Sequence, residues 1–556
     1  MENVERPLPL LDDESRPFWE AGQAGMLSFV GCDSCGALLH PPAPVCRYCR
    51  SRHLSRREVP GRGVVVGFSV NHQQWDPRFP PPYCVATVAL DADTRVRLTT
   101  NIVDVDTDDL RVGMRVEPRF EHREDVWIPL YLPSGEPDAE LPDDETAPGD
   151  HRRWARPLVR ADRFEDRVAI TGIGMSDIGR RLMRPPLSLA VDAITAAIED
   201  AGLELDDIDG LSTYPGGASI AGFGEGGISS VADALGIRPT WYNGGMETFG
   251  PAGSVIAAMI AVAAGLVRHV VCFRTVWQAT YAARLRAQSE GGSPYAMGRA
   301  QDRVAGYSGP YGEGSAAITL AIRASHHFAR YGTTRETLGW IATTERANAA
   351  LNPAAIYTDP MSMDDYLGAR MISSPFGLYD CDVPVDASIA VVVSAMEAAG
   401  DRRHPPVLVE AVGTQMTERV AWDQSTMTHE PHSLGPAAHL WTRTSLTPDD
   451  VDVALLYDGF SFNCLSWLEG LGFCKIGEAK DFLEGGHNIA RVGGVVALNP
   501  HGGQLSAGRT HGMGFVHEAV VQLRGDGGAR QVPEARVAAV SSGGLTPAGV
   551  ILLRRP

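Results

Sequence analysis

The sequence predicts a layered α/β domain preceded by a metal-binding ribbon and a small β-barrel. Three observations predict it: two CxxC pairs near the N-terminus, short β-rich runs between Gly61 and about Leu132, and strand-like runs alternating with helical ones from Arg167 onward. At 556 residues the chain exceeds what one hydrophobic core usually organises, so more than one domain is expected.

Residues 1–30 read as a helical arm in which Trp19, Met26 and Phe29 offer apolar anchors. Residues 31–58 hold Cys32, Cys35, Cys46 and Cys49, spaced CxxC, ten residues, CxxC, with a Gly or Arg near each pair. Two such turns can place four thiolates tetrahedrally around one Zn2+. Four sulfur ligands leave no open coordination position, so the expected zinc stabilises the ribbon and does not catalyse. The other cysteines are scattered and the total of nine is odd, which fits a reducing compartment and not a disulfide framework.

In residues 59–132 the runs VVVGFSV, CVATVAL and VRLTTNIV are separated by Pro, Gly and Asp clusters at the spacing of a small barrel, with Gly113-Met114 turning into a last strand. Residues 133–166 are acidic, Pro-rich and aperiodic, with one basic patch at Arg152, Arg153 and Arg156, and read as a linker. In residues 167–556, VAITGIG, VVCF and VALLYDGFS alternate with stretches such as SLAVDAITAAIEDAG, the rhythm of βαβ units, and no short-period repeat is visible. The Ala- and Gly-rich run from Pro251 to Val267 stops short of the roughly 20 apolar residues that span a bilayer, so a buried core helix is expected and no membrane insertion.

A net charge of −19 argues against a nucleic-acid partner, and the barrel lacks a basic, aromatic-studded face. The opening MENVERPLPLLDDESRPFWE is acidic and Pro-punctuated, unlike a secretory leader, so a cytoplasmic location is expected.

After the cysteines, GRGVVVGFSV, PPYCVATVAL and GMRVEPRF resemble the zinc-ribbon/OB-fold partner domain that accompanies thiolase-like acyl-CoA enzymes. From about Val168 to Leu553 the chain resembles the thiolase superfamily, in its lipid-transfer or sterol-carrier branch. The helix 251–265, GPYGEGSAAITLAIRASHHFARYGTT, the stretch from LNPAAI to DCDVPVDASIAVVVSA, YDGFSFNCLSWLEGLGFCKIGEA, NPHGGQLSAGRTHGMGFVHEAVVQLRG and SSGGLTPAGV carry that resemblance in order. It implies a five-layered αβαβα thiolase-like fold with a hidden duplicated half. It also implies a homodimer through that body, and a CoA thioester that enters a channel as substrate.

Departures from the thiolase pattern carry the functional information. A degradative thiolase needs a cysteine at the start of the buried helix, where the helix dipole favours thiolate. Here the segment reads NGGMETFGPAGS, and no cysteine lies between Cys84 and Cys272. Thr248 is nearby, but a hydroxyl without an adjacent base is a far poorer nucleophile. The second family cysteine, in CxGGG, is replaced in SSGGL by Ser541 or Ser542, and the GHP histidine aligns with Arg509, with His511 two residues on. Where thiolases carry the Asn of NEAF, or the His of an HDCF variant, this chain has Tyr457-Asp458-Gly459-Phe460.

Lost cysteines with a tyrosine gained resemble the steroid side-chain retro-aldolases, which cleave β-hydroxyacyl-CoA thioesters and work with a zinc-ribbon/OB partner. That resemblance implies Tyr457 as base or acid at the substrate oxygen; an ordinary phenol, with a pKa of about 10, needs a nearby cation to ionise near neutrality. Arg509 or His511 can supply that influence. The same two, or His501 in NPHGG, can hold the thioester oxyanion, and Asp458 can orient or protonate. Plainer roles stand beside these: Asp458 as a cap of the following helix, His487 and His517 as structural, Cys464 and Cys474 as core thiols. The second tyrosine of the aldolase pattern, just after the HG pair, is Met513 here. Two other functions stay open: a Claisen-type thiolase or acyltransferase dependent on free CoA, and a non-catalytic acyl-CoA or lipid carrier. Fusion of barrel and body suggests that the barrel supports the channel or binds the CoA tail in cis.

Overall fold

The computed structural model describes residues 5–143, 151, 154–156, 158, 162–216, 222–245, 247–288, 305–399, 403–419, 422–543 and 547–556. Residues 144–150 and 159–161 of the linker, Arg152 and Arg153 of the basic patch, Met246, and Gly544 and Leu545 of the SSGGL turn lie outside the described residues.

Among its described residues the arm holds a short helix, Arg16–Glu20, and a 3-10 turn, Ala21–Ala24; Phe29 lies in a strand and not in a helix. Gly22 and Gly25 follow too closely for a longer helix to propagate, and Gly25 takes φ +73°. Trp19 stacks on Tyr307 of the body with ring centroids 5.7 Å apart, which supplies the partner for the arm. The ribbon is a three-stranded antiparallel sheet of β1 (Leu27–Cys32), β2 (Leu38–Leu39) and β3 (Leu54–Val59), in the order β2-β1-β3.

The barrel is built from β4 (Gly63–Asn71), β5 (Tyr83–Leu90), β6 (Asp93–Thr100), β7 (Arg115–Arg123) and β8 (Val126–Pro133). β4 pairs with both β5 and β7, β7 pairs with β8, and a bridge between Ile102 and Tyr131 closes the end of β6 onto β8. One last strand after Met114 is therefore corrected to two, because Glu124, with φ +50°, turns the chain back on itself. The barrel does not stand alone. A body hairpin, Met371–Ser373 with Phe376–Gly377, extends its sheet through Ser373 opposite Asn71, and Ile318, Ile322 and Met427 pack on Val66, Phe79, Tyr83 and Val85.

In the body the strands are β9 (Val168–Met175), β10 (Gly210–Thr213), β11 (Trp241–Asn243), β12 (His269–Trp277), the hairpin strands β13 and β14 just given, β15 (Asp386–Ala395), β16 (Val407–Gly413), β17 (Val453–Leu455), β18 (Ala497–Leu498), β19 (Val537–Ser542) and β20 (Gly549–Arg554). Ten of them run in the order β11-β10-β12-β15-β9-β16-β20-β19-β17-β18. Split between β9 and β16, this is the same five-strand pattern twice. In each half the second strand lies parallel to the third and fourth, and the fifth runs antiparallel between the fourth and the first. The duplication is thus a matter of topology, with no repeat in the residues themselves.

β12, β15, β19 and β20 are buried along nearly their whole length, as strands covered on both faces must be. The covering layers follow from helix character. Gly250–Ala263 is almost wholly apolar and buried, and lies with Met513–Arg524 between the two sheets. Pro186–Asp200 covers the outer face of the first sheet, and Leu434–Leu440 the outer face of the second. These layers make the fold α/β, five-layered αβαβα, preceded by a zinc ribbon and an OB-fold barrel. Among the described residues, no helix is long and apolar enough to cross a membrane.

Candidate active site

The site forms where the two central helices point their N-termini at each other. A Cβ on Gly512 would lie 3.5 Å from Pro251, so the tips of Met513–Arg524 and Gly250–Ala263 are in near contact. Three chain segments are tied beside them by backbone hydrogen bonds: Asp382 N donates to Gly459 O (3.2 Å), Val383 N to Gln504 O (3.0 Å) and Arg509 N to Val383 O (2.8 Å). This lacing brings Tyr457, Asp382, Arg509 and His511 to one place.

Tyr457 follows β17, and its backbone N–H donates to Ser541 Oγ at 2.9 Å. The side chain is buried, with its ring edge-on to His511 at 6.3 Å and to Phe515 at 6.4 Å. Burial pushes the phenol above its ordinary pKa, more strongly than the Arg509 charge lowers it, so the resting group is protonated. The cation effect expected from Arg509 is thus present but outweighed. Arg509 is itself engaged: Nε donates to Asp382, and Nη1 donates to Gln278 Oε1 at 2.7 Å. Burial pushes Asp382 up to about 6 in spite of that guanidinium, which leaves it ionised at neutral pH.

His511 sits in the left-handed region, φ +56°, with its backbone N–H donating to Gln504 Oε1 at 2.9 Å. A non-glycine residue held there signals a local constraint, and such constraints cluster at functional sites. Its Nδ1 lies 2.8 Å from Nη2 of Arg274, a buried residue of β12 whose Nη1 donates to Tyr214 O at 2.6 Å. Burial first, then the charges of Arg274 and Arg509, hold the imidazole well below its usual pKa. His511 is therefore neutral.

Asp458 and His501 make their own contacts beside this cluster, although the Asp458 charge still reaches Tyr457 and Asp382. Asp458 turns inward: its Oδ2 accepts from the backbone N–H groups of Gln504 (2.7 Å) and Leu505 (3.2 Å), capping the π-turn Gly503–Ala507. The helix after it, Ser461–Leu471, is instead held at its start by Asn463, whose Oδ1 accepts from Phe460 N at 2.8 Å. Asp458 also pairs with Glu345. Burial and the Asp458 charge push Glu345 well above the usual carboxyl range, so the two share a proton. A Cβ on Gly503 would meet Asp458 Oδ2 at 2.1 Å and Glu345 Oε2 at 2.4 Å, so only glycine lets this pair approach the turn. His501 lies against the Phe515 ring at 5.4 Å, and burial pulls it down to about 3. Cys464 is fully buried in its helix, and Cys474 is partly buried.

The position of the thiolase nucleophile is filled differently. Gly250 takes φ +65°, and a Cβ there would come within 2.9 Å of Ser542 Oγ. That hydroxyl donates to Phe249 O (3.0 Å) and accepts from Ala252 N (3.3 Å), so it caps the central helix. Thr248 packs with its Oγ1 against Gly253. Of the groups that complete the cluster, Arg274 and Asp382 escape a reading of motifs, although an arginine inside the apolar run HVVCFRTVW is itself a signal, since buried arginine needs partners.

The four ribbon cysteines place their sulfurs within 4.8 Å of one another, with Cys32 and Cys49 at 3.5 Å and Cys35 and Cys46 at 3.6 Å. A tetrahedral Zn2+ with bonds of about 2.3 Å requires sulfurs about 3.8 Å apart, so the cluster fits a structural zinc.

Residues 19–55 match the ChsH2 rubredoxin-like zinc ribbon domain, 56–121 the ChsH2 C-terminal OB-fold domain, and 414–553 the thiolase C-terminal domain-like family. A steroid side-chain-cleaving aldolase of Thermomonospora curvata is 32% identical over 69% of this chain and 97% of its own length. The chain belongs to the steroid side-chain-cleaving aldolases of the thiolase superfamily. Within that family, the 17-hydroxy-3-oxo-4-pregnene-20-carboxyl-CoA lyase of Mycobacterium tuberculosis is 33% identical over 64% of this chain and 92% of its own length. The solved Ltp2-ChsH2(DUF35) aldolase superposes with a TM-score of 0.62 at 32% identity, covering 70% of this chain and 98% of that one. In the present aldolase, ribbon, barrel and thiolase-like body share one polypeptide.

Proposed function

We propose that this aldolase cleaves a β-hydroxyacyl-CoA with a sterol-like or otherwise bulky side chain into a ketone or aldehyde and a shorter acyl-CoA. The observation that carries the reading is that a protonated phenol after β17 and a neutral imidazole at the tip of Met513–Arg524 come together in a site whose central helix starts with no thiol. The relatives named as aldolase and lyase support the same direction.

The reaction needs no co-reactant. The β-hydroxyl loses its proton, the Cα–Cβ bond breaks to leave the carbonyl compound, and the CoA enolate takes a proton at Cα. Tyr457 handles the hydroxyl proton. Because its own proton is present at rest, it must pass that proton on, and Asp382 is the ionised carboxylate on its side of the site. His511 donates to the thioester oxygen as charge develops there. Arg509 positions Asp382, and Asp458 with Glu345 holds the π-turn that carries His511's backbone partner, Gln504.

A homodimer through the body is supported by the edge position of β11 and by exposed Tyr242, Ile260 and Leu266. A thiolate zinc cluster and the unpaired thiols of Cys84, Cys272, Cys381, Cys464 and Cys474 support action in the cytoplasm.

Mass spectrometry of reactions with a panel of 3-hydroxyacyl-CoA and 3-oxoacyl-CoA thioesters, with and without free CoA, tests the reading. Release of a shorter acyl-CoA and a carbonyl compound from hydroxy substrates alone is expected. Cleavage confined to oxo substrates and dependent on free CoA makes the chain a Claisen thiolase, and binding without turnover makes it a carrier.

A further inference from the structure

We propose that Arg274 is a positioning residue that locks His511 in the neutral tautomer with its proton on Nε2, so that His511 acts only as a hydrogen-bond donor to the thioester oxygen. This rests on the lyase reading above and deepens it.

The argument begins with valence. A guanidinium has donors and no acceptor, so an imidazole nitrogen 2.8 Å from Nη2 of Arg274 must offer a lone pair. That nitrogen is Nδ1, which leaves the single proton of the neutral ring on Nε2. Occupied in this way, Nδ1 cannot take a second proton without facing a cation, and Nε2 has no lone pair to act as a base. His511 is thereby confined to one chemical role.

Arg274 is well held for the task. Its Nη1 donates to Tyr214 O at 2.6 Å, its guanidinium lies over the rings of Phe223 (5.0 Å) and Tyr214 (5.5 Å), and it remains a cation, since burial lowers it only to about 10. Tyr214 and then Glu225, whose Oε1 accepts from Gly227 N at 3.1 Å, favour its charge against that burial. The Tyr214 ring stacks parallel to the His511 ring, 13° between planes, and Phe223 lies 5.0 Å from it, so the imidazole is fixed in plane as well as in tautomer. The charged and titratable groups facing His511 are therefore Arg274 from β12, Arg509 from its own loop, Tyr457 after β17 and Tyr214 after β10, with Glu225 behind Arg274. None of these favours the imidazolium except Glu225, which Arg274 screens.

The test is nitrogen NMR of the whole chain labelled at histidine, with the His511 signals identified by their loss in His511→Gln. In the resting protein we expect one protonated nitrogen, Nε2, and one bare nitrogen, Nδ1, unchanged between about pH 8 and about pH 5.5. In Arg274→Met the signals should move toward mixed tautomers, because Nδ1 loses its donor, while burial and Arg509 still hold the ring neutral. The same variant should lose about 10- to 100-fold in kcat/KM, because the ring no longer holds its proton on Nε2 and part of the oxyanion stabilisation goes. Arg274→Lys, which keeps a donor, should restore part of both. A proton on Nδ1, or a titrating His511 in the unaltered protein, overturns the proposal, as does an unchanged spectrum in a folded Arg274→Met. The tautomer is read without substrate, so failure of the lyase reading shows as absent turnover with the spectrum as expected, and the two failures stay distinct.

Discussion

In the N-terminal half of the body, the strand β10 runs out into Tyr214; in the C-terminal half its topological equivalent, β17, runs out into Leu456 and Tyr457. Both tyrosines face His511, one stacked and one edge-on, each with centroids 6.3 Å away. Their uses differ. Tyr214 supplies a carbonyl to Arg274 and a ring face to the imidazole, whereas Tyr457 is anchored by its backbone to Ser541 and presents its phenol to the site. The central helices differ in the same way. One begins at Gly250 with its N-terminus capped by Ser542, and the other is preceded by His511 in a left-handed turn. A duplicated topology determines where two helix tips and two strand ends converge, but in the proposed mechanism the residues at those points divide into a half that positions and a half that handles protons. Fold symmetry carries no chemical symmetry.

The same substitution at the two related positions is the sharpest way to break that comparison. Tyr457→Phe should lower kcat/KM by about 10²- to 10⁴-fold, the usual loss of a positioned acid or base, in a steady-state assay of shorter acyl-CoA release. Tyr214→Phe keeps both the carbonyl and the ring and should cost no more than about threefold. Equal losses would mean that the N-terminal half shares the proton chemistry.

The pH profile gives the next largest effect. With Asp382 at about 6, kcat/KM should fall about tenfold per unit below that pH, and Asp382→Asn should abolish this limb along with most activity. The carboxyl is raised above its unfolded value of about 3.9, so its contribution to stability is full below that value and is lost as pH rises through about 6. The acid limb therefore does not reflect unfolding caused by this group, and a melting curve at each pH separates the two.

Gly250→Cys, which returns a thiol to the family's nucleophile position, probes the positioning half. The left-handed φ and the approach of Ser542 should make it destabilising by about 1–3 kcal/mol in chemical denaturation, with no thiolysis gained. Gain of free-CoA-dependent cleavage would show that the N-terminal tip retains catalytic capacity. The smallest effect at the site should follow zinc removal. A chelator should melt the ribbon, yet the body keeps its own core, so kcat should change by no more than about threefold. A loss as large as that of Tyr457→Phe would make the ribbon, through its contacts with Tyr307, a third contributor.

Local features were legible because their physics is local. Four cysteines in two tight turns announce a zinc site from spacing, and the short runs of the barrel are punctuated by the residues that end strands. Tyr457 and His511 emerge from departures at motif positions, with the structure bringing both to one cluster. Asp458 and His501, equally conspicuous in the sequence, are drawn away by the π-turn and by Phe515. Arg274 meets His511 across 237 residues of chain, a pairing that no spacing encodes. The hairpin β7–β8 looks like one strand in the sequence because its turn is made by Glu124 and Asp125, without a glycine or proline to mark it.

The sequence by itself determines the ribbon, the barrel, the α/β body and the absence of a thiol at the start of the central helix, since each depends on residue type and short-range order. Only the tertiary structure decides that the body is two copies of one topology, that the phenol rests protonated, and that burial, with an arginine from the opposite half beside it, holds the imidazole neutral. Those properties depend on burial and on distances between segments remote in the chain, and both arise when the two sheets close over the central helices.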